Sequence, residues 1–130
     1  MPLEVKTEIR VRFNECDFYQ HVNNASYMVY LDVAILDYFR EVYKEIKTFD
    51  SLFHLVHATL DFKNPATFDD ELIITTYVEK TGTTSITFKQ KIHKKTTGEI
   101  VVEAKKIGVF LDIKTQTKCN VPEILKQSAL

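Results

Sequence analysis

From Leu3 to Phe13 the odd positions are Leu3, Val5, Thr7, Ile9, Val11 and Phe13, and the even ones are Glu4, Lys6, Glu8, Arg10 and Arg12. A period of two with charge on alternate residues predicts a strand with one buried face. Residues 14–24 break that period with polar side chains. Ala25 to Glu45 is then rich in helix-compatible apolar residues, with Asn23 or Asn24 placed to cap its start. The first half of this helix carries Tyr27, Met28, Val29, Tyr30, Leu31, Val33, Ala34, Ile35 and Leu36, apolar nearly all round, so it is expected to be wrapped. In the second half Asp37, Arg40, Glu41, Lys44 and Glu45 interleave with Tyr38, Phe39, Val42 and Tyr43, an amphipathic end reaching solvent.

Four further segments have strand character, about Phe53 to Phe62, Glu71 to Lys80, Ser85 to His93 and Glu99 to Leu111. Turn chemistry separates them at Lys63-Asn64-Pro65, Lys80-Thr81-Gly82-Thr83 and Lys95-Thr96-Thr97-Gly98, which predicts an antiparallel meander. Pro122 to Gln127 reads as a last short helical segment. The order β-α-β-β-β-β gives an α+β domain in which a strongly curled five-stranded antiparallel sheet covers one long helix. The helix end near Asn24 then lies at an edge, where a second subunit would complete a groove.

Composition narrows the function more than the fold. The chain has 130 residues and is 45% apolar, enough for one core and one domain spanning residues 1–130. Lys and Arg total 17 against 18 Asp and Glu, a balance too even to imply a nucleic-acid partner. The N-terminal residues alternate in polarity, unlike a secretory signal, and the apolar run Ala25 to Phe39 is broken by Asp32 and Asp37, so no membrane anchor is expected. Cys16 and Cys119 are far apart and lack His or Cys neighbours at ligand spacing, which suggests neither a disulfide framework nor a metal site and fits the cytoplasm.

The candidate chemistry lies in the stretch from Arg12 to Tyr27, where a polar loop feeds an apolar helix. Asp17, His21, Asn23 and Asn24 fall where unpaired backbone N–H groups and the helix dipole favour developing negative charge. Attack on a thioester carbonyl creates such an oxyanion. A carboxylate within reach either attacks the carbonyl or takes a proton from water. Asp17 suits both roles, and the sequence does not choose between them.

These residues also resemble a known family. Asp17, then His21-Val22-Asn23-Asn24, then Tyr27 is similar to the active-site motif of the 4-hydroxybenzoyl-CoA thioesterase family of hotdog-fold acyl-CoA thioesterases. Lys63-Asn64-Pro65-Ala66-Thr67-Phe68-Asp69-Asp70-Glu71-Leu72 resembles that family's Pro-Ala and Asp-Asp turn, and Thr83-Thr84-Ser85-Ile86 its strand entry. The His-Val-Asn-Asn run also occurs in plant acyl-ACP thioesterases built from related hotdog domains. The resemblance implies Asp17 as the catalytic carboxylate and the backbone N–H near Asn24 as the oxyanion contact. It implies Asn23 and Tyr27 beside the substrate, and Lys63, Lys80, Thr83, Thr84 and Ser85 as candidate coenzyme A contacts. His21 stands where the hydroxybenzoyl member has a small residue, which points toward an aliphatic acyl group. A homodimer or homotetramer with active sites at the subunit interface is implied, with no cofactor.

Each residue also has a plainer reading. Asp17 could stabilise a turn, an asparagine could only cap the helix, and His21, a candidate general base or substrate-positioning group ranked below Asp17, could be held by loop hydrogen bonds. His54, His57 and His93 lie in strand-like segments without a partner at metal spacing, and Cys16 is read as a packing residue. The Lys89, Lys91, Lys94 and Lys95 run is read as a solvated sheet face. The leading expectation is hydrolysis of an acyl-CoA or acyl-ACP thioester. The alternative is a non-catalytic module that binds acyl-CoA or an acyl carrier. A hotdog hydratase or dehydratase ranks third, because its His and acidic pair has no local pattern here.

Overall fold

The computed structural model describes residues 2–44 and 51–129. Strand β1 (Glu4–Arg10) runs through a single 3₁₀ turn (Phe13–Glu15) into helix α1 (Asn24–Val42). Then follow β2 (Ser51–Phe62), β3 (Glu71–Thr81), β4 (Ser85–Lys94), β5 (Ile100–Asp112), the two-residue β6 (Lys118–Cys119) and helix α2 (Glu123–Ser128). Five long strands form one antiparallel sheet in the order β1-β3-β4-β5-β2, and β6 adds a short rung beside β5. The last two residues assigned to the helix by its sequence pattern are Lys44, just beyond its end, and Glu45, which lies outside the described residues.

The meander holds for β3, β4 and β5, but β2 departs from it. It pairs with β5 along nearly its whole length, from Ser51 opposite Asp112 to Phe62 opposite Val102, and so becomes an edge. The chain from 63 to 70 crosses the end of the sheet and delivers β3 beside β1. There Val11 N–H donates to Asp70 O at 2.9 Å and Asp69 N–H donates to Val11 O at 3.1 Å.

The alternating pattern works as read. In β3 and β5 every second residue is buried, including Leu72, Ile74, Val78, Val102 and Phe110. The helix is different. Tyr27, Tyr30, Leu31, Ala34, Ile35 and Tyr38 are buried against the sheet, whereas Val29, Val33 and Leu36 are exposed at 55%, 39% and 46%. One chain therefore covers one face of α1 rather than wrapping it.

Three polar contacts cross the middle of the helix–sheet layer. Thr7 Oγ1 donates to Asp37 at 2.9 Å, Gln90 Nε2 donates to Leu31 O at 2.8 Å, and Lys106 Nζ donates to Asp32 at 2.7 Å. They divide the core into a cluster around Tyr27, Tyr30 and Leu31 and another around Tyr38, Phe88 and Phe110. The second cluster contains an aromatic stack in which Phe53 crosses Gly108. A Cβ at residue 108 would lie 1.9 Å from Phe53 Cε2.

Glu15 ties the loop after β1 to the helix. Its Oε1 accepts from Arg12 N–H at 2.8 Å and from Tyr30 O–H at 2.7 Å, and its Oε2 accepts from Arg12 Nε at 3.2 Å and Nη2 at 2.8 Å. Its backbone carbonyl accepts from both the N–H and the side-chain amide of Asn23. Burial alone would raise the Glu15 carboxyl, but the hydrogen bonds from Arg12 and Tyr30 outweigh it and hold the group below the usual carboxylate range.

Two predictions follow from this packing. Gly108→Ala forces Phe53 aside and is expected to lower stability by about 1–3 kcal/mol in denaturant unfolding; an unchanged midpoint would show the ring yields freely. Glu15 binds its proton less tightly folded than unfolded. Its stabilisation is therefore full above the ordinary Glu value of about 4.3 and is lost as pH falls from there through the depressed folded value. Glu15→Gln, weaker at neutral pH, should show a shallower fall of stability over that acid range than the parent, measured by urea unfolding at stepped pH. Parallel slopes would refute the role of the charge.

Candidate active site

Asp17 sits in a tight turn built by its own side chain. Its Oδ1 accepts from the N–H groups of Tyr19 at 2.8 Å and His21 at 3.2 Å, its N–H donates to His21 O at 2.7 Å, and its carbonyl accepts from Gln20 N–H at 2.9 Å. Gln20 takes a left-handed φ of 65° to close the turn. The turn is held at its base by a bridge between Cys16 and Val22, and its outgoing limb by one between His21 and Thr67. Among the described residues no hydrogen bond is made to Asp17 Oδ2, so one carboxylate oxygen is fixed and the other is available.

The helix start supplies donors. Asn23 is the N-cap, its Oδ1 accepting from Ser26 N–H at 2.8 Å, while its carbonyl accepts from Ser26 N–H at 3.1 Å and Tyr27 N–H at 3.4 Å. The N–H groups of Asn24 and Ala25 have no hydrogen-bond partner among the described residues. They are the orphan donors that every helix start leaves, with the positive end of the dipole behind them.

The third wall is the segment after β2. Lys63 and Asn64 N–H donate to Val101 O, the Asn64 amide donates to Ile100 O at 2.7 Å, and Asp70 Oδ2 accepts from both the N–H and the hydroxyl of Thr67. This segment is stitched to the helix side twice. Val22 N–H donates to Ala66 O at 2.9 Å, and Ala66 N–H donates to the Tyr27 hydroxyl at 3.0 Å. Burial pushes the Tyr27 phenol up, outweighing the opposing hydrogen bond from Ala66 N–H, and keeps it neutral.

These walls enclose a cleft of about 270 Å³ lined by Asp17, His21, Val22, Asn24, Tyr27, Phe62, Lys63, Asn64 and Pro65. Asp17 also borders a hollow of about 330 Å³ on the far side of its loop, with Phe13, Cys16, Phe18, Gln20 and Phe68. Burial first, and then the charges of Asp17, Glu15 and Asp70, push the Cys16 thiol up. Among the described residues no group of three or more His, Cys, Asp or Glu side chains is placed to hold a metal ion.

Of the residues singled out in the sequence, Asp17, His21, Asn24, Tyr27 and Lys63 meet in this cleft, with Asn23 beside it as the cap. Lys80, Thr83, Thr84 and Ser85 do not join them within one chain. They lie at the β3–β4 turn, the 11-residue length of β3 away, roughly 35 Å at the strand rise per residue. There Thr83 O accepts from Val121 N–H and Thr84 O from Phe110 N–H. In the sequence Phe62, Asn64 and Pro65 read only as a strand end and a turn, and Glu15 and Tyr30 do not stand out as supports. The spacing Arg12-x-x-Glu15, a capping-box arrangement, was the available signal for Glu15.

Comparison with known proteins gives the chain's family. The family model of the thioesterase-like superfamily matches residues 11–128. The chain is 31% identical over 114 residues, 86% of each chain, to the long-chain acyl-CoA thioesterase FadM of Escherichia coli (strain K12). Among solved structures it resembles the probable thioesterase YbaW from Escherichia coli, at 29% identity and TM-score 0.78, covering 95% of this chain and 94% of that one. It also superposes on a 1,4-dihydroxy-2-naphthoyl-CoA thioesterase from Synechocystis with TM-score 0.84 at 17% identity, covering 96% and 94%, a likeness of fold. With its motif loop, its antiparallel sheet packed on a long helix and these relatives, the chain belongs to the thioesterase-like superfamily and is a thioester hydrolase of the hotdog fold.

Proposed function

We propose that the chain hydrolyses acyl-CoA thioesters in the cleft at the start of α1, with Asp17 as the reacting carboxylate. One observation supports this above all: Asp17, with one carboxylate oxygen left without a hydrogen bond, and Asn24, with its N–H unpaired at the helix start, line one small cleft. As the carbonyl is attacked, negative charge collects on its oxygen, where the Asn24 and Ala25 N–H groups and the helix dipole stabilise it. The C–S bond then breaks and the thiolate leaves with coenzyme A. As general base, Asp17 takes a proton from the attacking water and returns it to the leaving sulfur. As nucleophile, it forms a mixed anhydride that water opens. The Tyr27–Phe62 ring contact, at 5.7 Å between centroids, gives the acyl side an apolar wall, and Lys63 offers a cation at the mouth for the anionic carrier. The Escherichia coli relative acts on long-chain acyl-CoA by name, in line with an aliphatic acyl group here.

The reading includes a homodimer. Strand β2 is an open edge of the sheet, with Leu52, Leu55 and Val56 exposed along it. Such an edge is a template for pairing with a second copy, which would bring α1 of the two subunits side by side over a continuous sheet. The β3–β4 turn residues Lys80, Thr83, Thr84 and Ser85 can contribute to a cleft only from another subunit. A pair of such dimers gives the tetramer, and the cytoplasm is the expected compartment.

Asp17→Asn is expected to lower thiol release from acyl-CoA at least about 100-fold while leaving the circular dichroism unchanged. Parent-like turnover would remove Asp17 from the reaction, and tight acyl-CoA binding without turnover by the parent protein would favour the binding-module alternative. Single turnover in labelled water separates the two roles of Asp17, because an anhydride leaves solvent oxygen in the aspartate. Val56→Lys on the β2 edge should convert the assembly to monomers in sedimentation and lower activity with it. An unchanged mass would exclude this edge as the interface.

A further inference from the structure

The turn that carries Asp17 has a second side, the hollow of about 330 Å³ lined by Phe13, Cys16, Asp17, Phe18, Gln20 and Phe68. Its volume is at the small end of the range of about 300–1,000 Å³ usual for small-molecule sites. Half of its lining residues are phenylalanines, and all of these are exposed, Phe13 at 80%, Phe18 at 93% and Phe68 at 50%. None of them belongs to either core cluster, so the fold itself gains little from them. Phe13 and Phe68 are held to each other edge to face, with ring centroids 6.0 Å apart. Aromatic rings carry negative charge on their faces and attract a cation within about 6 Å of their centroids.

The charges around the hollow point the same way. No Lys, Arg or His lines it, and its one ionised side chain is Asp17. Close by, Glu15 is matched by Arg12 and Asp70 by Lys94, at 2.8 Å and 3.8 Å, whereas Asp17 makes no ion pair among the described residues. The sulfur of Cys16 registers the resulting field: after burial, the charges of Asp17, Glu15 and Asp70 push its thiol up. A neutral apolar ligand would suit the rings but leave the Asp17 charge unmatched. A protonated amine would want three acceptors, and the lining side chains present only Asp17 and Gln20 for the purpose. A cation that spreads its charge over methyl groups is served by rings and carboxylate together.

We propose that this hollow binds a quaternary ammonium group, held by the rings of Phe13, Phe18 and Phe68 and by the charge of Asp17. The group arrives either as a free small cation or as the far end of an acyl chain whose thioester lies in the cleft on the other side of Asp17. Binding of the free cation does not depend on the hydrolase reading; the second source does.

The test titrates the full chain with choline and with 3,3-dimethyl-1-butanol, which has carbon in place of the charged nitrogen, following the amide resonances of residues 13–20. Choline should bind at least about 10-fold more tightly than the alcohol. Phe13→Leu and Phe68→Leu keep apolar bulk at exposed positions. Each should weaken choline binding at least about 3-fold while leaving the affinity for the alcohol and the thermal midpoint as in the parent. Equal affinity for the two ligands overturns the proposal, as does the absence of saturable choline binding or its full retention in both leucine variants. Where choline binds as expected, thiol release separates the sources. A group borne by the substrate should make 4-(trimethylammonio)butanoyl-CoA better than 5,5-dimethylhexanoyl-CoA by at least about 10-fold in kcat/KM, a preference that Phe68→Leu reduces. A free cation leaves the two thioesters alike. No release from any acyl-CoA overturns the hydrolase reading and leaves the choline titration to decide the site.

Discussion

A buried carboxylate with donors on both oxygens fixes the geometry where the loop after β1 meets the start of α1. Glu15 receives Arg12 from its own loop and Tyr30 from the second turn of α1, and its carbonyl holds Asn23, the residue that caps the helix. Loop and helix are thereby one unit, and the distance between Asp17 and the free N–H groups at the helix start is set by hydrogen bonds rather than by chance packing. A catalytic group misplaced by about 1 Å can lose most of its effect, which is why such supports matter as much as the reacting groups. The stitch from Val22 to Ala66, and that from Ala66 to the Tyr27 hydroxyl, extends the same unit to the wall after β2.

The rest of the fold holds this unit at one end of the long helix. Three polar contacts through the middle of the core fix the helix against sliding or rotating on the sheet, because each joins a specific helix residue to a specific strand residue. Apolar packing alone is less selective, since neighbouring registers bury similar area. Exposed apolar side chains remain on the open helix face, at Val29, Val33 and Leu36, and along the open β2 edge, at Leu52, Leu55 and Val56.

Much of this was legible in the chain. Strict alternation from Leu3 to Val11 and the polar-to-apolar switch at Asn23 locate β1 and the start of α1, and the motif from Asp17 to Tyr27 places five candidate residues in or beside one cleft. Three things were not legible. The pairing of β2 with β5 depends on where a connector crosses the sheet, and local turn chemistry carries no such information. The apolar circumference of α1 suggests wrapping, but composition around a helix does not say which of its faces the sheet will cover. Glu15 and Lys106 read as ordinary charged residues, because burial of a charge becomes visible only when partners distant in sequence arrive, Tyr30 for one and Asp32 for the other.

The Cys16 thiol sits next to Asp17, bordering the same hollow, and burial with three neighbouring carboxylates keeps it protonated. The thiolate, not the thiol, is the sulfur species that attacks thioesters and exchanges with disulfides. Set among Glu15, Asp17 and Asp70, this sulfur is held in its unreactive form, so the loop carries a thiol that packs rather than reacts.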